Sequence, residues 1–122
     1  MTQVVCSYYR TESGRAPAEE FIDSLDVKSR DKYAFVFGLL EEHGRQLKQP
    51  YAKYIGDEIF ELRFLAREGA IRVLYFFYHG GKAILANGFI KKTDKTPTNE
   101  KETAIQRRNN YFKRKEAEDE QN

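Results

Sequence analysis

The chain carries a single cysteine, Cys6, among its 122 residues. One thiol excludes an internal disulfide framework and any metal site built from several cysteines. On the apolar stretch VVC it reads as a small core residue rather than a nucleophile. No apolar run of about 18 residues occurs, so no transmembrane helix and no membrane partner are expected. The N-terminal MTQVVCSYYR lacks a basic segment followed by an apolar one, so no signal peptide is expected either. These features predict a cytoplasmic protein. The two histidines, His43 and His79, stand at a helix end and at a turn. Neither has a metal-ligand partner at useful spacing, and both read as surface residues. The GGK at 80–82 lacks the rest of a P-loop. No G-x-S-x-G motif occurs, and the carboxylates form no paired acid/base pattern. Neither a metal nor a small-molecule cofactor is expected.

What is present is enough for one domain. Nine Phe and eight Tyr supply a core, and the length fits a single unit. The net charge of +2 hides a division. Residues 1–90 carry 12 basic and 12 acidic side chains, residues 91–115 carry 9 basic and 3 acidic, and residues 116–122 add 4 acidic. The expected organisation is one domain over 1–115 and an acidic, disordered tail over 116–122. The basic block is either a solvated helix or the place where an anionic partner sits.

The pattern predicts an α+β fold: a small, mostly antiparallel sheet with helices packed on one face, in the order β-α-α-β-β-β-α. VVCSYYR (4–10) reads as a first strand. Ala18, Phe21, Ile22 and Leu25 form a helical stripe after Pro17. Tyr33, Val36, Phe37 and Leu40 form a second, closed by Gly44. Residues 45–58 read as a loop rich in Lys and Tyr. Strands are expected over 58–65, 70–79 and 82–91. Thr96 is expected to cap a last helix with Pro97 at its first position.

Hairpin register then assigns faces. A two-residue Gly80-Gly81 loop pairs His79 with Lys82 and brings Arg72 opposite Phe89. Alternation puts Arg72, Leu74, Asn87, Phe89 and Lys91 on one face. A Glu68-Gly69 loop adds Glu61 and Arg63 to it. The opposite face collects Phe60, Leu62, Phe64, Ile71, Val73, Tyr75, Phe77, Ile84, Ala86 and Ile90, and is the one the helices should cover. A cation in the middle of AIRVLYFF needs a reason. Arg72 either pairs with Glu61 or binds an anion. The two are compatible, because Glu61 could orient Arg72 while Arg72 holds a phosphate. Lys91 and Lys92 end an apolar strand and are either a solvated strand end or part of that anion site. Tyr51 and Tyr54 either pack on the loop edge or stack on bases.

ELRF, RVLYFF and ILANGFIKKTDKTP, followed by a basic C-terminal helix, resemble the RelE/HigB toxin superfamily over residues 4–115. The G-F-x-K-K-T-x-K-T-P run resembles its phage-derived Gp49-like branch. The resemblance implies a type II toxin–antitoxin toxin, an endoribonuclease that cuts mRNA on the ribosome and arrests growth. It also implies an antitoxin partner, commonly a helix-turn-helix protein. Arg72 matches the family's phosphate-contacting arginine, Lys91 and Lys92 its basic pair, and Arg63 a basic strand position; these four are the candidate catalytic residues. Glu61 is the candidate orienting residue. Lys53, Tyr54, Lys95, Arg107 and Arg108 are the candidate RNA contacts. The family's C-terminal catalytic tyrosine has no clear counterpart, since TDKTPTNEKE stands there. The general acid and base stay open. A gyrase-poisoning toxin of the same fold and a non-enzymatic nucleic-acid-binding module are the alternatives.

Overall fold

A computed structural model describes residues 3–120. Strand β1 (Val5–Tyr8) leads into helix α1 (Pro17–Asp23) and helix α2 (Val27–His43). A 3-10 turn at Gly44–Gln46 precedes β2 (Ala52–Gly56), β3 (Ile59–Ala66), β4 (Gly69–Tyr78) and β5 (Lys82–Lys91), and helix α3 (Thr98–Glu120) ends the chain. The five strands form one sheet in the order β1-β5-β4-β3-β2. Only β1 against β5 runs parallel; the remaining pairs are antiparallel. The α+β class and the element order are as expected, with one strand more.

That extra strand, β2, corrects the reading of 45–58 as a loop. It pairs with β3 through a two-residue turn in which Asp57 and Glu58 both have positive φ, 55° and 63°. This is the primed hairpin geometry, normally signalled by Asn-Gly or Gly-Gly. Asp-Glu carries no such signal. Tertiary contacts support the turn instead. Asp57 pairs with Lys101 of α3 at 3.0 Å, and the Glu58 N–H donates to the Tyr54 hydroxyl at 3.1 Å.

Helices cover both faces. Ala18 and Ile22 of α1 and Val36 and Leu40 of α2 pack on Leu62, Ile71, Val73 and Tyr75. Ala104 of α3 packs on the opposite face, against Leu74, Phe76, Ile84, Ala86 and Phe89. The expectation of helices on one face holds for α1 and α2 alone. The acidic tail, expected to be disordered, continues α3 as far as Glu120. The final two residues, 121 and 122, lie outside the described residues. Cys6 packs at the edge of the α1/α2 core. Burial, then Glu41, pushes its thiol up to about 12, which fits a core residue and not a nucleophile.

Both hairpin registers differ from the expected ones. Tyr78 rather than His79 pairs with Lys82, so the β4–β5 loop has three residues, with His79 at φ 53°. A bulge at Ala86 then restores the expected pairing of Arg72 with Phe89. Below the bulge the faces are exchanged. Ile84 and Ala86, expected under α1 and α2, lie under α3, while Ala83 and Leu85 take the other side. The β3–β4 loop is Arg67-Glu68, closed by Ala66 opposite Gly69. The shift is two in the sum of paired positions, so every residue keeps its expected face. It brings Arg63 directly opposite Arg72.

The Glu68 carboxylate explains where that turn settles. It accepts from the Ser29 hydroxyl at 2.5 Å and from the Asp26 backbone N–H at 2.8 Å. The Asp26 side chain caps α2 by accepting from the Ser29 N–H at 2.9 Å. Hydrogen bonds from Ser29, first its N–H and then its hydroxyl, hold the Asp26 carboxyl below its usual value. The Ser29 hydroxyl, then the Asp26 N–H, does the same for Glu68. Depressed carboxyls stabilise the fold above their unfolded pKa values, about 4. That contribution is lost as pH falls through the lower folded values. Thermal melts should therefore lose stability as pH falls below about 4, and Glu68→Gln should lessen that loss while lowering the melting temperature at neutral pH.

Gly88 of β5 sits beneath α1. A Cβ placed there would overlap the Phe21 ring. The glycine admits the aromatic ring to the sheet surface. Gly88→Ala is expected to destabilise by about 1–3 kcal/mol through overpacking, with Phe21→Leu restoring part of the loss. A denaturant titration of the three variants checks this.

Candidate nucleic-acid interface: a cationic sheet face and the cleft beside it

Arg72 and Arg63 are opposite each other on neighbouring strands, a like-charge arrangement that would repel by itself. Glu61, two residues along β3 on the same face, resolves it. Its Oε1 lies 3.3 Å from Arg72 Nε and 3.6 Å from Arg63 Nε. Glu61 is 1 % exposed and Arg72 7 %. The second carboxylate oxygen of Glu61 accepts a short hydrogen bond from the Thr96 hydroxyl. Thr96 is therefore not the cap of α3. The helix starts at Thr98, and its first backbone bonds run from the Glu100 and Lys101 N–H groups to the Pro97 carbonyl. Thr96 had a simpler role available in sequence, so nothing local marked it as a partner of Glu61.

The Arg72 guanidinium is only partly engaged. Nη1 donates to the Ile71 carbonyl at 3.0 Å. Nε is buried and ion-paired to Glu61 without an aligned hydrogen bond. Nη2 has no hydrogen-bond partner among the described residues. Burial first, then Arg63, lowers the Arg72 pKa, and Glu61 opposes them. An arginine stays charged through such a shift. The side chain is thus a buried, held cation with donor capacity to spare.

Lys91 stands opposite Ala70, on the same face and diagonal to Arg72. It is half-buried, Lys92 just beyond it is exposed, and neither makes a side-chain hydrogen bond or ion pair among the described residues. Lys53 stands opposite Glu61, so it also shares this face. Four cations from four adjacent strands, Lys53, Arg63, Arg72 and Lys91, thus share a face with one carboxylate. Lys95 is exposed in the segment between β5 and α3.

The other candidate RNA contacts do not join them. Tyr54 lies on the opposite face, its ring 5.0 Å from Phe60. Arg107 donates to the Ala86 carbonyl at 2.9 Å, at the bulge, and lies over the Tyr9 ring. Arg108 lies over Phe112, 4.5 Å from its centroid. Arg107 thus helps seat α3 on the sheet, whereas Arg108 stacks within its own helix, with its Nε buried and without a hydrogen-bond partner. Near the start of the helix, Asn87 donates to the Glu100 carbonyl and to its carboxylate, at 3.2 and 3.0 Å.

A cleft of about 800 Å³ adjoins the cationic group. It opens where β3 runs past the end of β2, between α2 and residues 49–51. Phe35, Tyr51, Phe64 and Leu65 give it aromatic and aliphatic walls, and Arg63 and Arg72 line it as well. The sequence offered Tyr51 as a residue that packs or stacks. Phe35 carries no such signal, because it lies off the buried stripe of α2.

A small α+β domain, with a cluster of cations on one sheet face that a helix covers at its other end, is the class that fold and site define. The chain matches the family model described as Phage derived protein Gp49-like (DUF891) over residues 20–109, about three quarters of its length. It belongs to that family, which is in general one of RelE/HigB-like toxins. The match takes in Glu61, Arg63, Arg72, Lys91, Lys92 and Thr96. No curated protein matches the chain. Among the described residues, no helix is long and apolar enough to cross a membrane.

Proposed function

We propose that the protein is the toxin of a type II toxin–antitoxin pair and acts as a ribosome-dependent mRNA endoribonuclease that needs no metal. The observation that carries this reading is the buried Arg72, held by Glu61 and flanked by Arg63 and Lys91 on one sheet face. A phosphodiester suits such a site. Arginine donors match phosphate oxygens, and lysine adds a point charge.

In the reaction the substrate 2′-oxygen attacks the adjacent phosphorus and the bond to the 5′-oxygen breaks. The products are a 2′,3′-cyclic phosphate and a 5′-hydroxyl. The 2′-hydroxyl proton leaves to a base and the 5′-oxygen gains one. Arg72 and Arg63 stabilise the charge that builds on the phosphorane. Lys91 or Lys92 serves in proton transfer or adds to that stabilisation. Glu61, bonded to Thr96 and paired to both arginines, positions the guanidinium groups. A cognate antitoxin, a helix-turn-helix protein in this proposal, neutralises the toxin.

The test is tightly controlled induction with growth and transcript integrity followed together and 5′ ends mapped. Growth arrest with cuts inside translated frames supports the reading. Arrest with intact transcripts and damaged DNA overturns it in favour of a gyrase poison. Absence of arrest, together with salt-dependent RNA binding by the purified protein, overturns it in favour of a binding module.

A further inference from the structure

The cleft beside β3 combines aromatic and aliphatic walls with charged groups, the arginine pair together with Lys32 and Asp31. Phe35 and Leu65 stand 60 % and 71 % exposed at its rim, so apolar surface is available to a ligand there. The Phe35 and Tyr51 rings meet edge to face, 6.2 Å between centroids, so the wall is aromatic from both α2 and the β2 approach. Lys32 Nζ closes one backbone acceptor of the β3 edge by donating to the Leu65 carbonyl at 3.1 Å. Tyr51 supplies the carbonyl for the Arg63 N–H at 2.8 Å. With these two groups taken, a strand added to this edge would find little to pair with. A planar, apolar-faced group with an attached anion meets no such obstacle. The volume lies within the roughly 300–1,000 Å³ usual for small-molecule pockets.

We infer that this cleft is a base-binding subsite for single-stranded RNA, taking the nucleobase next to the phosphate that Arg72 and Arg63 hold. The inference rests on the proposed ribonuclease reading for the identity of the polymer. The base lies against Phe35 and Tyr51, and its phosphate meets the free Nη2 side of Arg72. Such stacking tolerates every base, because each has a π-face. The subsite thus sets the register of the strand on the enzyme rather than a cleavage sequence.

The probe is a 2′-O-methyl trinucleotide, which has no 2′-hydroxyl to attack, beside the same oligomer with its central base removed. Binding to the whole chain is measured by titration at low salt, with aromatic proton resonances followed. The intact oligomer is expected to bind roughly 10-fold more tightly than the abasic one, shifting the Phe35 and Tyr51 ring signals. Phe35→Ala, at an exposed position that the fold does not need, should reduce the intact oligomer to the abasic affinity. Tyr51→Ala should do the same. Equal binding of the two oligomers, or no effect of either substitution, overturns the subsite while leaving transcript cleavage untouched. Conversely, base-dependent binding in a protein that cuts no transcript sustains the subsite and removes the ribonuclease reading. If Phe35→Ala instead breaks a dimer of the chain and leaves oligomer affinity unchanged, the cleft is a protein interface and the inference fails.

Discussion

Arg72→Ala is expected to lower transcript cleavage by on the order of 100-fold or more, the usual loss when a preorganised donor to a developing charge is removed. Growth arrest on induction should disappear with it. The effect should be mainly on turnover, because the guanidinium is most useful where the phosphorane carries extra charge. Arg72→Lys keeps the charge but loses the planar fork, and should recover only part of the activity. The buried position demands a folding control, so melting temperature is read beside cleavage. Lys91→Ala/Lys92→Ala in one chain supplies an independent arm. Neither lysine is held by a hydrogen bond or ion pair among the described residues, so the double variant should melt like wild type and still lose cleavage. Full toxicity of both Arg72→Ala and the lysine double variant would show that this face is not the site.

The second large effect is on stability. Removing Glu61 leaves two guanidinium groups opposite one another with no carboxylate between them. Breaking a buried ion pair by deleting one partner costs about 3–5 kcal/mol. The Arg63 side chain keeps 23 % of its surface exposed, which places Glu61→Ala toward the lower end. For a domain of this size the melting temperature should fall by on the order of 10 °C. Glu61→Gln retains an acceptor for Thr96 and should lose less. Arg63→Gln added to Glu61→Ala should recover stability by removing the repulsion, a non-additivity that a double-mutant cycle measures. An unchanged melt for Glu61→Ala would refute the account of how this face is held.

Much of that face is legible in the sequence. Alternation along β3, β4 and β5 collects Glu61, Arg63, Arg72 and Lys91 on one side. It does so although both loops fall elsewhere than expected: one shifts the register by two, and the other is compensated by the bulge at Ala86. Parity is what sorts side chains in a sheet, and parity survives an even slip. Where the slip is odd, between Lys82 and Ala86, the assignment fails, and Ile84 and Ala86 go to the wrong layer. Arg107 bonds the bulge carbonyl from α3, a partner 21 positions away that no local pattern announces. The basic helix misleads for a related reason. Its arginines look solvated in sequence, yet Arg107 bonds back to the sheet and lies over Tyr9, and Arg108 lies over Phe112 of its own helix with its Nε buried.

The sequence by itself determined the class of fold, the buried stripes of α1 and α2, and the face on which the strand cations gather. Each follows from periodicity, a property of neighbours along the chain. The tertiary structure alone decided that Arg63 stands directly across from Arg72, that Thr96 bonds Glu61 instead of capping a helix, and that Phe35 and Tyr51 wall a cleft beside the arginines. These depend on how distant segments are set against one another. Glu68 pulls the β3–β4 turn onto the start of α2, and Lys101 holds the Asp57 turn against α3. Such long-range bonds choose one register among several that periodicity allows equally.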